Sequence, residues 1–167
     1  EHTLLITFHP ETGLSGGSAD SQMVELLAAL EQVDAQLIFT MPNADAGGRG
    51  IFKLINDFVD ANRERACAHI SLGQTVYLSA LAMSAGVVGN SSSGLIEAPA
   101  LGIGTVNIGN RQSGRLKASS VIDCAAERAK IKTAVVKLLS PDTQQKNRSG
   151  INNPYGDGGA ARRTVAI

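Results

Sequence analysis

The chain has 167 residues, of which 43% are apolar and 18% are charged, and its 15 Lys and Arg residues balance 15 Asp and Glu residues. This length can form one compact domain with a substantial core, so we predict a single domain over residues 1–167. A formal charge of zero provides no chain-wide basic field for nucleic acid or an anionic membrane. Any anionic ligand must therefore be bound by a local site.

The sequence lacks the patterns of a membrane or secreted protein. No apolar run approaches the roughly 20 residues of a membrane span, and the first residues lack the basic and apolar regions of a signal peptide. Cys67 and Cys124 are far apart in the sequence, which favours neither a disulfide framework nor a metal cluster. We therefore expect a soluble, cytoplasmic protein.

Short apolar runs alternate with helical periodicity along the chain. The expected strands are 4–8, 36–40, 66–70, 86–89, 105–108 and a last one at 121, and the expected helices are about 21–33, 50–63, 75–84, 94–101 and 127–139. The polar, turn-rich segment 140–159 is predicted to be a surface connection before a short terminal element.

Strands of continuous apolar residues, separated by helices, are typical of a parallel sheet that is covered on both faces. We therefore predict an α/β fold with a doubly wound, Rossmann-like parallel sheet. Ligands of such sheets bind beyond the carboxyl ends of the strands. The loops that follow the strands are thus expected to share one rim, where the functional residues should lie.

The segment GVVGNSSSGLIEAPALG carries the strongest local signal of a binding site. It places Ser91, Ser92 and Ser93 between a strand and a helix, where hydroxyls and backbone N–H groups can bind a phosphate. Simple N-capping by one serine is the alternative explanation. Glu97, expected near the first helical turn, either complements the helix dipole or accepts hydrogen bonds from vicinal hydroxyls.

Three residues of other loops are predicted to lie on the same rim. Arg111 follows the strand TVNI, and its planar guanidinium suits a diphosphate. His9 follows the first strand and could donate to a phosphate or transfer a proton near neutral pH. Asn43 could bind a sugar or base, or it could merely stabilise a turn.

Together, TFHPET, MPNADAG, SLGQTVYLSALAMSAGVVGNSSSGLIEAPALG, TVNIGNRQSGR and YGDGGA resemble the C-terminal domain of hydrolysing UDP-N-acetylglucosamine 2-epimerases of sialic-acid biosynthesis. The resemblance extends from about residue 7 to residue 160. Non-hydrolysing relatives typically carry HRREN where this chain has HPET, and DSGG where it has NSSSG. The hydrolysing branch is therefore the closer one.

The resemblance implies the C-terminal half of a two-domain fold of the glycosyltransferase-B type. In that fold a Rossmann-like domain binds UDP and an N-terminal domain closes over the sugar. The start of the chain on the apolar run LLITF agrees with this expectation, so we expect the N-terminal domain of its own polypeptide as a partner. A homo-oligomer is left open.

The resemblance also implies the residues that contact the substrate. They are His9, Asn43, Leu72, Ser91, Ser92, Glu97 and Arg111. His9 and Arg111 are the implied phosphate contacts, and Ser91 and Ser92 are the implied diphosphate loop. His9 would in addition stabilise the leaving group, which is the one catalytic role implied for this chain.

The implied nucleoside contacts lie on the other loops. Glu97 would accept the ribose hydroxyls, the backbone around Leu72 would face the uracil, and Asn43 would lie in the cleft. Arg49 matches a position that binds the feedback inhibitor CMP-sialic acid in the animal bifunctional enzymes, but bacterial-type relatives need not share that inhibition.

The resemblance implies that UDP is eliminated across C1–C2 of the sugar and that the glycal is then hydrated. We expect no cofactor, and no metal because the sequence has no acidic metal cluster. Its acid/base carboxylates belong to the N-terminal domain, so the isolated chain is expected to be inactive. The sugar is left open between GlcNAc and the 2,4-diacetamido-trideoxy sugar of the legionaminic acid route. A glycosyltransferase C-terminal domain and a free-standing nucleotide sensor are the alternatives outside the family.

Overall fold

A computed structural model describes residues 2–10, 18–42, 48–156 and 158–165. In chain order the elements are β1 (Thr3–Thr7), α1 (Ala19–Leu30), β2 (Gln36–Thr40), α2 (Gly48–Ala61), β3 (Ala66–His69), α3 (Gly73–Met83), β4 (Gly86–Gly89), α4 (Ser93–Ala100), β5 (Thr105–Ile108), β6 (Val121–Cys124), α5 (Arg128–Leu139), α6 (Pro141–Arg148) and α7 (Ala160–Val165). The helix and strand boundaries lie within a few residues of those expected from the periodicity.

The strands form one parallel sheet in the order β3-β2-β1-β4-β5-β6. The first three strands therefore extend the sheet from β1 through β2 to β3. Strands β4, β5 and β6 then extend it from the other side of β1. β1 and β4 are neighbours, with Leu5 opposite Val87 and Thr7 opposite Gly89. This confirms the predicted doubly wound, Rossmann-like sheet, whose strand order reverses between β1 and β4.

Alternation of side chains along β1 divides the core between the two faces of the sheet. Leu4 and Ile6 belong to a large buried cluster with residues of α1, α2 and α5. Leu5 belongs to a smaller cluster that includes Leu81 of α3 and Ala98 of α4. Because both faces are covered, the central strands are mainly apolar and not alternately polar.

Gly89 ends β4 in a conformation that brings the two central strands close together. Its φ of 144° disfavours other residues, and an added Cβ would clash with the carbonyl oxygen of Thr7. The next residue, Asn90, donates its N–H to the same oxygen at 3.1 Å. The loops after β1 and β4 therefore begin side by side.

The predicted surface connection 140–159 contains a helix, α6, that the sequence analysis did not anticipate. Ser140 accepts a hydrogen bond from the N–H of Thr143 at 3.4 Å, and Pro141 occupies the first turn. Both are start signals of a helix. The helix lacks an apolar stripe, so periodicity alone could not reveal it. Gln144 ties it to the domain by donating to the carbonyl oxygens of Ala85 and Leu138, at 2.8 Å each.

No helix among the described residues combines the length and the apolar character that crossing a membrane requires.

Candidate functional site

Asn90 joins the loop after β1 to the loop after β4. Its side chain is fully buried at the carboxyl end of β4. The Oδ1 atom accepts a hydrogen bond from the backbone N–H of His9 at 2.7 Å, and Nδ2 donates to the carbonyl oxygen of His9 at 2.9 Å. The carboxamide thus binds both polar groups of one residue and fixes where the His9 loop leaves the sheet.

The loop after β5 reaches the same residue from the other side. Arg111 donates from Nη1 to the carbonyl oxygen of Asn90 at 3.1 Å, and Gln112, itself buried, donates from Nε2 at 2.7 Å. Three loops therefore meet at Asn90. The sequence analysis placed His9 and Arg111 on this rim through the wiring of the sheet, but it assigned no role to Asn90 or Gln112.

The serine loop, Ser91 and Ser92 after Asn90, makes one long side-chain contact to the start of the helix. Helix α4 begins at Ser93, and the N-cap residue Ser92 makes no side-chain capping bond. The hydroxyl of Ser91 accepts a hydrogen bond from the N–H of Ser93 at a long 3.4 Å. In the part of the chain that the structure describes, the N–H groups of Ser91 and Ser92 donate to no other group. Side-chain contact thus reaches one helix N–H, through Ser91 and not through the N-cap residue Ser92, and the loop retains N–H donors for an anion.

Glu97 lies farther into α4 than expected. The helix starts at Ser93 and has no acidic residue in its first turn, so Glu97 occupies the second turn, with its side chain exposed. Glu97 thus lies near the first turn, as expected, but just beyond it and not within it. Because helix-dipole effects decline within the first turn, this position weakens the explanation of Glu97 as a dipole-complementing acid.

A cleft of about 330 Å³ opens above the carboxyl ends of β1, β2 and β3, against the start of α3. Its lining consists of Thr7, His9, Thr40, Met41, Ile70, Ser71, Leu72, Gly73, Gln74 and Tyr77. The structure thus brings His9 and Leu72 together in one cleft. At the start of α3, Leu72 is followed by Gly73 with a φ of 63°, which turns the chain sharply into the helix.

Tyr77 forms the boundary between this cleft and the serine loop. Its hydroxyl donates to Oγ of Ser93 at 2.7 Å. Burial raises the pKa of the Tyr77 phenol above its usual 10.0, hydrogen bonds to Ser93 and Thr7 act in the opposite direction, and the charge of Glu97 adds a smaller raising effect. Tyr77 could not be recognised as a site residue from the sequence, because a lone aromatic residue in a helix usually belongs to the core.

A second cavity, of about 580 Å³, lies beyond β5 and β6. Lys117 and Asn107 both donate to the carboxylate of Asp123, at distances of 2.7–2.8 Å. Burial, and to a lesser degree the charge of Asp123, raises the pKa of the Cys124 thiol in its wall to about 11. Although this cavity is the larger one, none of the predicted binding residues is among its lining in the described chain. We therefore locate the candidate site at the Asn90 junction and not here.

The remaining predicted positions are placed as follows. Asn43 lies outside the described residues. Ser91 and Ser92 are half-buried and Arg111 is exposed, all on the rim formed by the loops after β4 and β5. Within the described ranges, no group of three or more His, Cys, Asp or Glu side chains could hold a metal ion.

Comparison with known sequences shows that this chain is similar to 2-epimerases of nucleotide sugars along its whole length. The sequence profile of the UDP-N-acetylglucosamine 2-epimerase family matches residues 1–167. Polysialic acid biosynthesis protein P7 of Escherichia coli is 38% identical over 156 residues, which cover 90% of this chain and 38% of that protein. The GDP/UDP-N,N'-diacetylbacillosamine 2-epimerase (hydrolyzing) of Campylobacter jejuni is 36% identical over 142 residues, which cover 84% of this chain and 36% of that protein.

Solved structures share the fold. The UDP-GlcNAc 2-epimerase of Neisseria meningitidis, bound to UDP-GlcNAc, superposes with a TM-score of 0.69 at 16% identity, covering 99% of this chain and 44% of that one. At this level of identity the likeness concerns the fold alone. The chain spans less than half the length of each of these three proteins.

Proposed function

Since the chain belongs to the UDP-N-acetylglucosamine 2-epimerase family, we propose that it is the nucleotide-binding, C-terminal half of a hydrolysing UDP-sugar 2-epimerase. The observation that carries this proposal is the junction at Asn90, where the loops of His9, the serines and Arg111 meet at the sheet reversal. That is the position at which doubly wound sheets bind nucleotides. We further propose that the complete polypeptide adds an N-terminal domain and acts in the cytoplasm.

The diphosphate would bind at the start of α4. Ser91 and Ser92 offer N–H groups and hydroxyls there, and Arg111 reaches the carbonyl of the preceding residue from the neighbouring loop. A guanidinium and helix N-terminal N–H groups are strong partners for phosphate oxygens. His9 is held to Asn90 through its main chain, and we propose that its imidazole makes a further phosphate contact.

The nucleoside would occupy the cleft lined by His9, Leu72 and Tyr77. Its volume of about 330 Å³ lies within the range of small-ligand pockets, about 300–1,000 Å³. We assign Glu97 as the acceptor of the ribose hydroxyls, the backbone around Leu72 as the uracil contact, and Asn43 as a further contact in the cleft. The second-turn, exposed position of Glu97 supports a ligand role better than a helix-dipole role.

In the proposed reaction, a base removes the C2 proton and the C1–O bond breaks, so that UDP leaves with the bonding electrons and a glycal remains. Water then adds across the C1–C2 double bond to give the 2-epimer. This chain would stabilise the negative charge on the departing diphosphate through His9, Arg111 and the serine N–H groups. Preorganised donors of this kind supply electrostatic stabilisation where charge develops. The proton-transferring carboxylates would come from the N-terminal domain.

We propose UDP-GlcNAc as the substrate, with N-acetylmannosamine and UDP as products, in sialic-acid-type sugar synthesis. The name of the Escherichia coli relative favours this route. The name of the Campylobacter jejuni relative favours a second candidate, a UDP-2,4-diacetamido-trideoxy sugar. Both candidates share the UDP moiety, which is the part that this chain would bind.

Isothermal titration calorimetry of the 167-residue chain with UDP tests the proposal. We expect saturable binding in EDTA, because cationic and N–H donors meet the diphosphate directly. Binding that appears only with added Mg²⁺ and vanishes in EDTA would show that the diphosphate site is assigned wrongly. A complete lack of binding would overturn the proposed function itself.

A further inference from the structure

Tyr77 connects the cleft to the helix that carries Glu97. It lies in α3, which crosses from β3 to β4 and so spans the reversal of the sheet. From there its hydroxyl donates to Oγ of Ser93 at 2.7 Å. Ser93 is the first residue of α4, and Glu97 lies four residues later on the same side of the helix.

The hydroxyl of Tyr77 lies among other hydroxyls and not in an apolar core. Tyr77 itself is half-buried, and it packs at the edge of the small apolar cluster formed by Leu5, Leu81 and others. The hydroxyl of Thr7 also acts on Tyr77, since it lowers the pKa of the phenol, and Oγ1 of Thr7 lies 2.7 Å from Oγ1 of Thr40 in the floor of the cleft. A phenylalanine would fill the same volume, so only the hydroxyl accounts for this connection.

The hydrogen bond from Tyr77 distinguishes the role of Ser93 from the roles of Ser91 and Ser92. Because Ser93 accepts from Tyr77, its hydroxyl is directed toward α3, whereas Ser91 and Ser92 lie on the loop before the helix. The first turn of α4 is thereby held from outside the helix. Ser92 makes no side-chain capping bond that could hold this turn from within.

We infer that Tyr77 is a positioning residue, whose hydroxyl fixes the first turn of α4 through Ser93 and so aims Glu97 at the ribose of a uridine nucleotide. This inference rests on the proposed function. It predicts that Tyr77 contributes to the preference for a ribonucleotide over a 2′-deoxyribonucleotide, although its own hydroxyl is bonded to Ser93. A purely structural tyrosine would affect both nucleotides alike.

The test compares UDP with 2′-deoxy-UDP by calorimetry, using the 167-residue chain. Tyr77→Phe should lower the affinity for UDP by about fivefold, which is within the range expected for the loss of one hydrogen bond. It should lower the affinity for 2′-deoxy-UDP by less than about twofold. The matched control is Tyr155→Phe. Tyr155 donates to the carbonyl oxygen of Leu116 at 3.0 Å, away from the cleft, so both affinities should stay unchanged.

A second variant examines the partner of the hydrogen bond. Ser93→Ala should reduce the preference for UDP as Tyr77→Phe does, and the double variant should lose no more than either single variant, because both remove the same bond. Additive losses in the double variant would overturn the inference. So would equal weakening of both nucleotides by Tyr77→Phe, or no change in either.

These outcomes are distinct from failure of the proposed function. If the parent chain binds no UDP, both proposals fall together. If Glu97→Gln abolishes the preference for UDP while Tyr77→Phe leaves it intact, the ribose assignment stands and only the role of Tyr77 is lost. Melting temperatures of the variants show whether each has folded, and Tyr77→Phe retains the ring that packs in the cluster.

The sequence also provides a spectroscopic measurement. The chain contains no Trp and two Tyr residues, so Tyr155→Phe leaves Tyr77 as the sole phenol. Because burial raises its pKa, the phenol should ionise above the usual pH of 10.0 in the folded chain. In this variant, bound UDP should shift the pH at which the phenol ionises, followed by the tyrosinate absorbance on the long-wavelength side of the uracil band. An ionisation pH unaffected by saturating UDP would contradict a hydroxyl coupled to the nucleotide site.

Discussion

Glu97 offers the most direct test of the nucleotide site at the scale of one residue. Glu97→Gln keeps the shape of the side chain but removes the charge that would accept the ribose hydroxyls. A hydrogen bond to a charged group contributes about 1.5–3 kcal/mol, so UDP affinity should fall about tenfold or more. The affinity for 2′-deoxy-UDP should fall much less. Calorimetry of both nucleotides measures the difference.

The control for this variant is Glu31→Gln. Glu31 is an exposed glutamate at the C-cap of α1, just before β2, so it lies at the opposite end of the sheet from the site. Glu31→Gln should leave the affinities for UDP and for 2′-deoxy-UDP unchanged. If Glu97→Gln shifts only the melting temperature and preserves the preference of the parent, then Glu97 acts within the helix and not on the ligand.

Several site residues could be predicted from the sequence because the topology alone brings them together. His9, Ser91 and Arg111 each follow a parallel strand, and the carboxyl ends of such strands share one rim. Asn90 and Tyr77 were missed for a different reason. Their importance depends on which atoms lie within hydrogen-bonding distance across 81 and 16 residues of sequence, and periodicity carries no such distances.

At the scale of elements, the site depends on loops that Asn90 holds together. Asn90→Ala would leave the half-buried N–H and carbonyl groups of His9 without their side-chain partners. An unsatisfied buried polar group costs about 1–3 kcal/mol, and because water can reach half-buried groups in part, we expect the free energy of unfolding to fall by about 1–3 kcal/mol in total. UDP should also bind more weakly, because the loop of His9 would no longer be fixed against the serine loop.

Urea unfolding followed by circular dichroism measures the stability change, with Asn152→Ala as the matched control. Asn152 is exposed, and its main-chain N–H rather than its side chain donates to Ser119. This control should stay within about 0.5 kcal/mol of the parent, as is usual for surface substitutions. If the two variants unfold alike, Asn90 does not hold the loops together.

Element boundaries were predictable where apolar periodicity was strong and failed where it was not. The strands Gln36–Thr40, Gly86–Gly89 and Thr105–Ile108 match the expected limits, because each is a buried run bounded by polar or turn residues. Helix α6 was missed because it has no apolar stripe. The start signals Ser140 and Pro141 are present, but such signals alone do not establish that a helix forms. This helix is also held to the domain by tertiary contacts such as the hydrogen bond from Gln144 to Ala85.

At the scale of the molecule, the proposed division of labour predicts that the isolated chain is catalytically inactive. It would bind UDP but would lack the carboxylates that transfer the C2 proton. A product assay with UDP-GlcNAc and with the 2,4-diacetamido-trideoxy analogue should detect no free UDP from the chain alone. The complete polypeptide should release UDP and the 2-epimer from one of the two sugars.

This assay also identifies the substrate, because the complete polypeptide should discriminate between the two sugars. Release of N-acetylmannosamine and UDP by the purified 167-residue chain would show that it contains its own acid/base groups. The assignment of proton transfer to an N-terminal domain would then be wrong.

Each hydrogen bond of the junction at Asn90 joins a side chain to a main-chain group of His9 or of Asn90 itself, and this affects which substitutions the protein can tolerate. Asn90 binds the peptide groups of His9, and its own carbonyl accepts hydrogen bonds from the neighbouring loop. A framework held through peptide groups is insensitive to the identity of the side chains that it displays. Substitutions at His9 or Ser91 should therefore alter ligand chemistry with little loss of stability. Such a scaffold can acquire a new nucleotide-sugar specificity by point mutation while its fold is preserved.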